Sequence, residues 1–140
     1  MKTHFALASL LFLLLASPSP SFALMMIDDV SKERAKEMGV TFRSHPNGEA
    51  GVAVWIEFKA ERVLKNFTRV ELRMTSGGKH LVSAPLHATR KSGDLVEAHF
   101  SVDPAQLAGC TLRIAVTDSA RSHIGYEFRV KDFVEPAKGR

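Results

Sequence analysis

Three groups of residues in this sequence have types and spacings that can do chemistry. The first is TDSARSHIGYEF, residues 117–128, which sets Ser119, Arg121, Ser122 and His123 between two apolar runs. Nucleophilic catalysis needs a base within hydrogen-bond reach of a hydroxyl, and a third group that orients the base. Ser122 and His123 are chain neighbours in an extended stretch, so their side chains diverge. No nucleophile elbow or glycine-rich oxyanion segment accompanies them. Asp118 is suited to hold the turn backbone. The expected role is a plain turn; its functional alternative is a contact loop carried by Arg121, Ser122 and His123.

The second group is histidine-based. Alternation places His87 and His99 outward and diagonal on one hairpin, with Glu97 opposite His87. Two imidazoles and a carboxylate suit zinc or copper. No spacing here matches a metal motif, and exposed sheet histidines are the ordinary alternative. The third group is cationic. If strands at 69–75, 110–117 and 124–131 share a sheet, Arg69, Arg73, Arg113, Arg129 and Lys131 face outward against Glu71 and Glu127. Such a face attracts an anionic polymer or a membrane surface. Its structural alternative is a solvated face laced by cross-strand ion pairs. Trp55, the single tryptophan, also falls outward, beside Ala53 and Glu57. An exposed indole stacks on a sugar or anchors a partner, unless an N-terminal helix covers it. Asn66-Phe67-Thr68 matches the N-glycosylation acceptor pattern.

Positioning these residues falls to a short chain whose start reads as an export signal. Lys2 and His4 precede an uncharged apolar core, Phe5 to Leu15, that suits a signal segment and is too short to span a bilayer. Ser-Pro repeats follow it, and Ser21 and Ala23 are small residues at the −3 and −1 positions. Cleavage after Ala23 is expected, rather than an uncleaved anchor, which gives a secreted or periplasmic protein with no transmembrane segment. Removing residues 1–23 takes only Lys2, leaving 18 basic against 15 acidic residues, a net charge of +3. That is too little to argue for nucleic acid. One cysteine, Cys110, precludes an internal disulfide. Packing must therefore supply the stability, and a chain of this length buries more than about 60% of its unfolded surface. Parity places Cys110 inside.

Residues 28–39, DDVSKERAKEMG, predict one short helix, capped by Asp28 or Asp29 and stopped by Gly39. Beyond it the apolar period becomes two. VAVWIEF (52–58), RVELRMT (69–75), VEAHFSV (96–102), CTLRIAV (110–116) and IGYEFRV (124–130) each alternate one apolar face with one polar face. VTFR (40–43) and LVSAPLHA (81–88) are weaker strands, the latter at an edge because Pro85 has no N–H to donate. Ala88 is expected to face Val96 across a hairpin, and His87 to face Glu97. The sum is an all-β, single antiparallel two-sheet sandwich of about seven strands over 40–134. A helix and lead-in at 24–39 precede it, and a tail at 135–140 follows. In strand number and spacing, over roughly 40–133, the chain resembles an immunoglobulin-like sandwich. It departs from that family in lacking paired cysteines, in placing Trp55 outward and in carrying Tyr126 on the last strand.

No motif implies a cofactor, and no enzyme activity is expected. The functional expectation is an exported, non-enzymatic module that binds a protein or an anionic polymer through the basic face or the 118–123 loop. The alternative is a small extracytoplasmic metal-binding protein using His87, His99 and Glu97.

Overall fold

The computed structural model describes residues 25–118 and 122–134. The expected leader at 1–23, Ser119, Arg121 and the 135–140 tail lie outside them. The chain is mostly β. Its strands are β1 (Met25–Asp29), β2 (Thr41–Pro46), β3 (Val52–Lys59), β4 (Phe67–Ser76), β5 (Lys79–Leu86), β6 (Thr89–Arg90), β7 (Leu95–Val102), β8 (Cys110–Thr117) and β9 (His123–Arg129). Two short helices join them, α1 (Lys32–Glu37) and α2 (Val130–Phe133). One sheet has the order β1-β9-β8-β4-β5 and the other β2-β3-β7-β6.

The alternating apolar residues form a single core between the two sheets. Val54, Ile56 and Phe58 from β3, with Val96 and Ala98 from β7, are fully buried against Val70, Leu112, Ile114 and Phe128 of the five-stranded sheet. Burying such side chains removes apolar surface from water, worth about 1.5–3 kcal/mol for each large one. Phe42, Phe128 and Phe133 close one end, with Phe42 and Phe133 stacked at 4.6 Å. Cys110 is buried in this core, its Sγ 3.5 Å from the Gln106 carbonyl oxygen.

Four expectations require correction. The segment 28–39 is not one helix: β1 runs through Asp29, pairing in parallel with β9 from Met25↔His123 to Asp29↔Glu127. The apolar Met25-Met26-Ile27 run makes this strand, and α1 starts only after Ser31. The Ser31 hydroxyl accepts from the Arg34 N–H at 3.3 Å, so serine caps the helix rather than either aspartate. Gly39 does stop it, at φ +70°. Second, the last strand ends at Arg129, and Val130 and Lys131 belong to α2. Third, the strand expected at 81–88 divides. β5 stays with β4, and the chain then crosses to the other sheet, where β6 pairs with β7 as Thr89↔Glu97 and Arg90↔Val96. His87 lies in the crossing, and Thr89 takes the place opposite Glu97. Fourth, the strand count is nine among the described residues, because β1 is added and β5 and β6 separate.

Two β-bulges shape β4. Near its end the pairing passes from Met74↔Val82 to Thr75↔His80, leaving Leu81 as the extra residue. This resolves the conflict of two adjacent apolar residues: Leu81 and Val82 are 57% and 42% exposed, so neither joins the core. The hairpin closes on Gly77-Gly78, whose φ values of +55° and +76° fit the two-residue turn that only glycine-like residues make easily. At the start of β4 the register shifts between Phe67 and Arg69. Phe67 packs inward at 5.2 Å from Phe58, and Val70 is fully buried. The bulge at Thr68 is what allows two inward residues three positions apart.

Candidate binding face

The outer face of the five-stranded sheet carries most of the basic residues the sequence singled out. β4, β8 and β9 are neighbours, and Arg113 sits opposite both Glu71 and Glu127. Glu127 Oε1 accepts from Arg73 Nη1 at 3.0 Å and from Arg113 Nε at 2.9 Å, and also from Arg113 Nη2. Two guanidiniums therefore share one carboxylate oxygen. Arg69 Nε pairs with Glu71 Oε2 at 3.2 Å, and Arg129 with Asp132 at 3.3 Å. The expected cross-strand ion pairs are present, so much of the charge is locally matched. Lys131 stands on α2 rather than on a strand of this sheet, beside a hollow that it lines with Lys32, Glu33, Arg129 and Asp132.

The arginines differ in reach. Arg113 is 13% exposed and held by Glu127, whereas Arg73 is 31% and Arg69 54% exposed. Close packing explains Arg113. Its stem lies across Gly125, where an added Cβ would come 3.0 Å from Arg113 Cδ, 2.8 Å from Met25 Sδ and 3.1 Å from Ile27 Cδ1. Glycine at 125 is what lets β1 and Arg113 lie flat on the sheet.

Next to this patch is a hollow of about 350 Å³ lined by Met25, Thr68, Arg69, Ala115, Thr117 and His123. Consecutive residues Thr68 and Arg69 both line it, which a regular strand forbids and the bulge permits. Thr68 Oγ1 donates to the Ala115 carbonyl at 3.2 Å, fixing the bulge. His123 Nδ1 and Thr117 Oγ1 share a hydrogen bond of 3.2 Å. His123 is thus turned to Thr117 and not to Ser122. The loop base is held instead by Asp118, whose Oδ1 accepts from the Ser122 N–H at 2.8 Å while its own N–H donates to the Ser122 carbonyl at 3.0 Å. Asn66 is exposed just before β4, and its carbonyl accepts from the Thr117 N–H.

The other sheet presents Trp55. It is half-buried between His45, edge-on at 5.6 Å, and His99, near-parallel at 6.1 Å, with the Arg43 guanidinium 6.0 Å from the indole centroid. These neighbours come from the flanking strands, as Arg43↔Trp55 and Trp55↔His99. The rings form a cross-strand ladder with the indole packed among its neighbours. Helix α1 is not its cover: α1 links the edge strands β1 and β2 and buries Ala35. Leu95 shares this outer face, but Glu97 intervenes between it and His99.

The metal expectation fails on register. His87 is in the crossing between sheets, so it does not stand opposite Glu97 or diagonal to His99. Glu97 is engaged by Lys91 at 2.9 Å and Arg43 at 3.0 Å, and Arg43 also pairs with Glu57. The Lys91 hydrogen bond, with lesser help from Glu57 and Arg43, holds the Glu97 carboxyl below its ordinary range, outweighing desolvation. No three His, Cys, Asp or Glu side chains among the described residues gather to hold a metal ion.

No protein-family model matches this chain, and no curated protein matches it. No helix among the described residues is long and apolar enough to cross a membrane.

Sequence reasoning missed Thr68, Thr117 and Met25 as neighbours of Arg69, and Arg43 as the link between Glu57 and Glu97. The signal for the first was present: Phe67 and Val70 are both apolar, and three positions apart they cannot share a face of a regular strand.

Proposed function

We propose that this chain is an exported, non-enzymatic β-sandwich module that binds an anionic polymer on the outer face of its five-stranded sheet. The observation that carries the reading is the shared carboxylate, where Arg73 and Arg113 converge on one oxygen of Glu127. One carboxylate offsets only one of two guanidinium charges, and a surface with surplus arginine donors favours sulfates and carboxylates. His123, at the base of the expected contact loop, borders the same face and supports reading the two candidate surfaces together.

The sheet orders support the immunoglobulin-like reading. β2-β3-β7-β6 corresponds to strands A, B, E and D of that fold, and β9-β8-β4-β5 to G, F, C and C′. β1 is then an added strand beside G. Cleavage after Ala23 fits this arrangement, since the mature chain would begin at Leu24 and join the sheet at its second residue.

The test is retention on immobilised dextran sulfate as salt is raised. The variant combining Arg73→Glu and Arg113→Glu is expected to elute at lower ionic strength than the wild-type chain, because charge-driven binding is screened over about 10 Å at 0.1 M salt. Equal retention of the double variant would remove the reading.

A further inference from the structure

The hollow beside Arg69 has the makings of a discrete subsite, and its argument rests on the anionic-polymer reading above. Arg69 is 54% exposed, and it is held on one side only. Its Nε is turned to Glu71, and Nη1 and Nη2 have no acceptor among the described residues. An arginine anchored at Nε presents its terminal nitrogens as a fork, the geometry that takes a carboxylate through two parallel hydrogen bonds. Across the hollow, the Thr117 hydroxyl and the His123 ring supply further polar atoms, and their mutual bond fixes both. Met25 and Ala115 supply apolar surface. The volume of about 350 Å³ is within the range of small-molecule sites and far exceeds the roughly 30 Å³ that one water takes up in the liquid. A bare oxyanion would leave most of this space unfilled. A sugar ring carrying a carboxylate matches it: charge for Arg69, hydroxyls for Thr117 and His123, and a C–H face for Met25 and Ala115.

We propose that this hollow binds one uronate unit of an acidic polysaccharide, with the Arg69 fork on its carboxylate and Thr117 and His123 on its hydroxyls. The bulge at Thr68 is the device that makes the site, since it brings Thr68 and Arg69 to the same side of β4.

Two probes separate this subsite from the broader face. Trigalacturonate, titrated into the exported chain and followed by amide NMR, is expected to shift Arg69, Thr117 and His123 saturably. Maltotriose, its uncharged counterpart, is expected to leave them in place. Arg69→Ala is expected to weaken trigalacturonate binding at least tenfold, and Thr117→Val severalfold, with both variants keeping the wild-type melting temperature. Sulfate ion binding as tightly as trigalacturonate would overturn the uronate assignment. So would an Arg69→Ala variant that binds trigalacturonate normally. If dextran sulfate is still retained while trigalacturonate shifts nothing, the subsite falls and the basic face stands. If neither binds, both fall.

Discussion

Glu127→Gln tests whether the shared carboxylate balances stability against binding. Glu127 and Arg113 are both 13% exposed, so this pair is far less hydrated than an ordinary surface ion pair. Glutamine keeps an acceptor oxygen in nearly the same place but removes the charge that offsets Arg73 and Arg113. Hydrogen bonds to charged groups contribute roughly 1.5–3 kcal/mol each, and neutral ones about 1. Arg73 and Arg113 both keep a weaker bond, so the expected loss is about 2 kcal/mol rather than the 3–5 kcal/mol of a broken, fully buried pair. For a domain of this size that lowers the melting temperature by about 5–10 °C. The same substitution adds one net positive charge to the face, so elution from dextran sulfate should move to higher salt. Circular-dichroism melts and salt-gradient chromatography read the two effects independently. The reasoning is refuted if the variant melts at the wild-type temperature, or if it loses stability while eluting earlier.

Gly109→Ala should cost well over 1 kcal/mol in urea unfolding, because its Cβ would come 2.0 Å from the Thr75 carbonyl oxygen, a backbone atom that cannot swing aside. Gly125→Ala meets only side-chain atoms and should cost less; the reverse order would contradict this packing. Phe128→Ala removes a fully buried ring that packs beside both Phe42 and Phe133 and should cost about 3–5 kcal/mol in the same assay. Burial pushes the Cys110 thiol above its ordinary range, so iodoacetamide should leave the folded chain unlabelled at neutral pH and react only when denaturant opens the core. For Glu97, whose folded pKa is depressed chiefly by Lys91, the stabilising contribution is fully present above the ordinary carboxylate range and is lost as pH falls through the folded value. Lys91→Ala should therefore raise the midpoint of the Glu97 carboxyl titration by NMR, and an unmoved midpoint would show that another group holds it.

The sequence was most legible where one face of a strand is buried. Val52, Val54, Ile56 and Phe58 follow period two because each inward residue must leave water, and all four are buried. Trp55 was correctly placed outward by the same argument, as were Arg69, Arg73 and Arg113. What alternation could not reveal was where pairing stops being regular. A bulge at Thr68 changes which residues share a face without altering composition. The change of sheet between β5 and β6 is set by a crossing whose residues, His87 and Ala88, carry no turn chemistry. β1 was hidden because its pairing partner, β9, lies at the other end of the chain, and a five-residue strand has too few positions to show a period. The charges of DDVSKERAKEMG suggested a helix starting at the aspartates, whereas pairing with β9 keeps them extended up to Ser31.

The parallel β1–β9 ladder also orders events in time. Met25 pairs with His123, so the first described strand to emerge in synthesis waits for the last. Hairpins such as β4–β5 and β8–β9 close small loops and can form as soon as both arms are out, but β1 can pair only when almost the whole chain is present. In the finished sheet β1 covers the edge that β9 would otherwise present. A chain truncated before β9 would thus carry an N-terminal strand without its pairing partner.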